Sequence, residues 1–88
     1  VYYKIVKPIR GARFTDDSGR ECDCIGFVGK VTMKFGPVGF FSLKQKNGLE
    51  VDAREDIIEE VTEFDYETAS QFELIKEVDN ESNTNNIL

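Results

Sequence analysis

Apolar and polar positions alternate most clearly between Ile25 and Val61. Ile25, Phe27, Val31, Met33 and Phe35 share one parity with Gly29, and Gly26, Val28, Lys30, Thr32 and Lys34 share the other. Strand residues point alternately to opposite faces, so this pattern predicts a strand with one buried and one wet face. Gly36-Pro37-Val38-Gly39 interrupts it. Pro lacks a donor and Gly tolerates positive φ, so a turn is expected there. A second strand follows with Phe41 and Leu43 inward, and a third with Leu49, Val51 and Ala53 inward. Asn47-Gly48 marks the turn between them.

Register follows from the same pattern. A two-residue Asn-Gly loop would set Lys44 against Val51 and place lysines on the apolar face. A loop of Lys46, Asn47 and Gly48 instead pairs Leu43 with Val51, Phe41 with Ala53, Lys44 with Glu50 and Phe40 with Arg54. That register is expected, with Gly48 left-handed at a bulge. For the preceding hairpin, a Gly36–Val38 loop pairing Met33 with Phe41 and Val31 with Leu43 is favoured; a longer loop pairing Phe35 with Phe41 keeps the same parity.

Outside this region, Val1–Ile9 reads as a strand, with Pro8 near its end. Arg10–Arg20 reads as a loop or loose hairpin turning at Asp16-Asp17-Ser18-Gly19, with Phe14 tucked onto the core. The parity change near Gly26 predicts a bulge or bend. Glu55–Ile58 reads as a short turn leading into a strand over Glu59–Phe64, with a helical stripe of Ile57, Val61 and Phe64 as the alternative, and Asp65–Ser70 as polar and turn-like. Gln71–Val78 fits a strand, with a short helix as the alternative. Residues 79–88 are polar and predict a disordered tail after a single domain over residues 1–78. The expected core is Tyr3, Ile5, Phe27, Val31, Met33, Phe41, Leu43, Val51, Ala53 and Val61.

These elements predict an all-β chain, a five- to six-stranded antiparallel barrel. Gly29-Lys30-Val31, the hairpin from Phe41 to Val51, and Asp56-Ile57-Ile58-Glu59-Glu60-Val61 carry a resemblance to the small SH3-like and Sm-like barrels, covering roughly Tyr3–Phe64. The resemblance is one of fold. The Trp and acidic-aromatic groove that would imply polyproline binding have no counterpart here, nor does an Sm-type RNA-binding motif.

Charge changes the picture more than composition does. The 88 residues are 40% hydrophobic and 32% charged, ordinary for a globular chain. Residues 1–46 hold nine cations and four acids, net +5, whereas residues 47–88 hold two cations and thirteen acids, net −11. This polarity points to charged partners. Glu55, Asp56, Glu59, Glu60, Glu63, Asp65 and Glu67 form a dense acidic run suited to a basic surface on a partner protein. Small acidic inhibitors that occupy the nucleic-acid channels of enzymes, several of them virus-encoded, work in this way. The alternative site is basic: Lys4, Lys7, Arg10, Arg13, Arg20, Lys30 and Lys34, with Tyr2, Tyr3 and Phe14 as stacking candidates for nucleic acid. The net charge of −6 opposes it.

Catalysis is not expected. The chain has no His, no G-x-S-x-G elbow and no P-loop. Cys22 and Cys24 are too few for a structural zinc site and poorly spaced for a relaxed disulfide on one strand. They read as reduced thiols, which favours a cytoplasmic setting. No cofactor or metal is expected, and no apolar run approaches the ~18 residues of a membrane span. The reading is a non-catalytic protein-binding module that docks its acidic half on a basic partner.

Overall fold

The computed structural model describes residues 1–37 and 39–75. The expected disordered tail lies outside these residues. The chain forms antiparallel sheets and one short helix. Five strands build the main sheet: β1 (Tyr2–Ile5), β4 (Val28–Phe35), β5 (Phe40–Lys44), β6 (Glu50–Arg54) and β7 (Ile58–Val61). Their order is β6-β5-β4-β1-β7. Three two-residue strands, β2 (Phe14–Thr15), β3 (Glu21–Cys22) and β8 (Glu73–Leu74), form a second sheet in the order β3-β2-β8. Helix α1 spans Glu63–Thr68. The sheets do not close into the barrel expected from the sequence; β6 and β7 are open edges of the main sheet.

The β5–β6 hairpin has the expected register. Leu43 pairs with Val51, Phe41 with Ala53, Lys44 with Glu50 and Phe40 with Arg54. Gln45 N–H donates to the Leu49 carbonyl at 3.0 Å and closes the loop, and Gly48 sits at φ +95°.

The β4–β5 hairpin departs from expectation. Val31 pairs with Leu43 as predicted, but Met33 pairs with Ser42 and Phe35 with Phe40. Thr32 is the extra residue of a bulge, which flips every side chain beyond it. Met33 is therefore 59% exposed and drops out of the predicted core. The polarity pattern also misplaced Ile25, which is exposed, and Val28, which is buried. A turn closed by Phe27 N–H to Cys24 O at 3.0 Å, with Gly26 at φ +99°, precedes β4 where a bulge or bend was expected.

The core is built from both sheets. Ile5, Phe27, Leu43 and Ala53 of the predicted set are buried, joined by Phe14, Cys24 and Phe72. Tyr3, Val31, Phe41, Val51 and Val61 are half-buried. The Phe72 ring lies 6.5 Å from Phe14, edge-on, and 6.1 Å from Phe27. Gly29 leaves no room for a side chain between β4 and β5. A Cβ there would lie 2.8 Å from the Leu43 Cβ and 2.9 Å from backbone atoms. Its role is steric room and not a special φ.

After β6, Glu55–Ile57 forms a single 3₁₀ turn leading into β7, as the turn-then-strand reading required. The strand stops at Val61, short of the expected Phe64. Thr62 then starts α1 where a polar turn was expected. Its hydroxyl accepts the Asp65 N–H at 3.1 Å, and the Asp65 carboxylate accepts the Thr62 N–H at 3.0 Å. This reciprocal capping box satisfies helix N–H groups that would otherwise lack partners. Tyr66 packs its ring 4.8 Å from that of Tyr2 on β1. Among the described residues of the 71–78 segment, a strand forms at Glu73–Leu74 and the helical alternative does not.

Candidate functional site

The acidic run follows one continuous path along the fold. Glu55 and Asp56 lie on the 3₁₀ turn, Glu59 and Glu60 on edge strand β7, and Glu63, Asp65 and Glu67 on α1. All seven are exposed. Two are neutralised locally: Asp56 lies 3.6 Å from Arg54 and Glu67 lies 2.9 Å from Lys46. Glu59 stands opposite Lys4 across the β1–β7 ladder, and Glu60 opposite Tyr3. Asp65 is committed to the helix cap. Hydrogen bonds from the Thr62 N–H and hydroxyl, helped by nearby Lys4, hold its carboxyl below the usual Asp value.

Phe64 is the residue that sequence reasoning misjudged. It is 73% exposed, between Glu63 and Asp65. The Thr62-x-x-Asp65 spacing was the available signal. It makes Phe64 the second helical residue, on a first turn that packs no side chain into the core. The result is an aromatic ring standing out of an acidic rim.

The basic set is dispersed by comparison. β1 does lie beside β4, which brings Tyr2 opposite Lys30. Arg13, however, is ion-paired with Glu21. Lys34 lies past the bulge and places its ammonium 5.4 Å above the Phe41 ring. Lys7 and Arg10 lie on the loop after β1, and Arg20 on the β2–β3 turn. Lys30 stands directly opposite Lys44, as the expected pairing of Val31 with Leu43 implies.

A groove of about 530 Å³ runs beside the acidic rim. Val28, Val61 and Phe72 line it together with Lys4, Asp16, Asp17 and Asp65. Asp16 is held in place by its own turn. One oxygen, Oδ1, accepts the Ser18 N–H at 3.0 Å, the Ser18 hydroxyl at 2.6 Å and the Arg20 N–H at 2.9 Å. The Ser18 hydroxyl is the largest cause of an Asp16 carboxyl below its usual value, followed by the Arg20 N–H.

Both cysteines are free. Burial pushes both thiols above the ordinary range, and the Asp16 and Asp23 carboxylates raise Cys22 further. A raised thiol holds its proton at neutral pH and is a poor nucleophile or metal ligand. Among the described residues, no group of three or more His, Cys, Asp or Glu side chains is arranged to hold a metal ion. No helix among them is long and apolar enough to cross a membrane.

No protein-family model matches the chain, and no curated protein or solved structure is significantly similar to it.

Proposed function

We propose that this chain is a protein-binding module whose contact surface is the acidic rim of β7 and α1, with Phe64 as its anchor. The single observation that carries the proposal is Phe64, an aromatic ring 73% exposed within a run of carboxylates. Aromatic anchors surrounded by polar rims dominate the energetics of protein interfaces. The flanking acids are suited to steering a basic partner surface into contact, raising the association rate more than the affinity. A small acidic inhibitor or regulator of a nucleic-acid-processing protein is the form that fits this chemistry best.

The connectivity supports the SH3-like reading of the main sheet. A meander of three strands, a 3₁₀ turn and a short last strand beside the first is the order that such barrels use.

The second reading, a nucleic-acid binder, is favoured by one observation. Like charges directly opposite on a sheet are destabilising, and Lys30 faces Lys44. Capture from lysate with and without nuclease separates the two. A protein captured despite nuclease, and lost when Glu59, Glu60 and Glu63 become Gln or Phe64 becomes Ala, supports the proposal. Capture that nuclease abolishes, and that only Lys30→Gln, Lys44→Gln removes, supports the alternative.

A further inference from the structure

We propose that the groove beside the acidic rim is a seat for one cationic side chain of the partner, an arginine or a lysine with its apolar stem inserted. This deepens the protein-binding reading above and rests on it. Three apolar lining residues are built into the fold: Val28 is 5% exposed, Phe72 7%, and Val61 is half-buried. The rim carries three carboxylates, Asp16, Asp17 and Asp65, against one ammonium, Lys4. An arginine or lysine matches both parts, since its methylene stem covers apolar surface while its head stays at a polar rim.

Two of the carboxylates are pre-positioned for this. Asp16 accepts its three hydrogen bonds through Oδ1, and Asp65 accepts both of its bonds through Oδ2. Each therefore has its second oxygen without a protein donor among the described residues. Neither side chain needs to reorganise to receive a guanidinium or ammonium group. The groove adjoins the proposed contact surface through Val61 of β7 and Asp65 of α1, which both line it. A partner resting on Phe64 can place a cation beside it.

The test needs no partner. N-acetyl-arginine amide is titrated into the intact chain at matched ionic strength, and backbone amide shifts are followed by NMR. Saturable millimolar binding is expected, with shifts centred on Val61 and on Gly26, Ala69 and Ser70, which also line the groove. N-acetyl-norleucine amide, which has the stem without the charge, should not reproduce it. Asp16→Asn with Asp65→Asn should weaken binding about fivefold, as expected for the loss of two exposed ion pairs. Ala69→Leu fills the groove and keeps every charge, so it should abolish binding. Lys4→Gln should strengthen it. Norleucine shifts equal to those of arginine, or undiminished binding in Ala69→Leu, would overturn the proposal. Phe64→Ala should leave this titration unchanged while it abolishes partner capture, so a failure here and a failure of the contact surface can be told apart.

Discussion

Phe72 is bound to Gln45 through both of its backbone groups. The Phe72 N–H donates to Gln45 Oε1 at 3.1 Å, and Gln45 Nε2 donates to the Phe72 carbonyl. Gln45 is 1% exposed, so its carboxamide supplies, from the end of β5, the hydrogen bonds that a neighbouring strand would. Asn47 Nδ2 also donates to the Phe72 carbonyl at 3.0 Å, and the Asn47 N–H donates to Gln71 Oε1 at 2.8 Å. The β5–β6 hairpin thereby fixes the segment that walls the groove.

Gln45→Leu keeps the volume and removes both bonds, together with the one from Gln45 Nε2 to Asn47 Oδ1 at 2.7 Å. The Phe72 carbonyl retains Asn47, but its buried N–H is orphaned. One unsatisfied buried group costs about 1–3 kcal/mol. Urea unfolding should report a loss of this size at constant m-value. Unchanged stability would mean that the 69–75 segment is not seated as described.

Two glycines should respond differently to alanine. At Gly29 the added carbon meets Leu43 and backbone at under 3 Å, and no flexible side-chain end is there to yield. Overpacking of this kind costs about 1–3 kcal/mol or more, and β4 and β5 would have to part. At Gly48 nothing lies within 4 Å, and the cost is the left-handed backbone, about 1–2 kcal/mol. Amide shifts should spread along β4 and β5 for Gly29→Ala and stay within the loop for Gly48→Ala. A local response to Gly29→Ala would contradict the close approach.

The helix cap makes a pH prediction with a definite sign. The Asp65 carboxyl lies below the ordinary Asp value of 3.8 in the folded chain. Its contribution to stability is therefore fully present above that value and is lost as pH falls through the folded pKa. Carboxyl carbon NMR should show an Asp65 midpoint below 3.8, and Thr62→Ala should move it upward. A midpoint that ignores Thr62→Ala would show that the capping bonds do not cause the shift.

The thiols are expected to be quiet at neutral pH. Cys24 is fully buried and Cys22 half-buried, with both held above the ordinary thiol range. Iodoacetamide at neutral pH should modify Cys22 slowly and Cys24 only on unfolding. Fast modification of Cys24 in the native protein would contradict its place in the core.

Much of the fold was legible because strand periodicity and turn chemistry agreed. The placement of Leu43 against Val51 followed from keeping lysines off the apolar face. Met33 was not legible, because a bulge at Thr32 reverses parity without any residue type that marks it. Phe72 was legible as apolar but not as core, since its burial depends on a hydrogen-bonding partner 27 positions away, Gln45. The acidic run could be read directly as charge. Its anchor could not, because Phe64 matches a strand pattern unless the Thr62–Asp65 capping pair is given priority.

The most direct test of the contact surface is site-specific photocrosslinking. A benzophenone side chain is placed at position 64 and, as controls, at Ile25 and Leu74, which are 45% and 53% exposed. A nuclease-resistant protein adduct is expected from position 64 alone. Salt should weaken it over a screening length of roughly 10 Å at 0.1 M. Glu59→Gln, Glu60→Gln and Glu63→Gln together should remove it. No adduct at position 64, equal adducts at all three positions, or an adduct that nuclease abolishes would contradict the account.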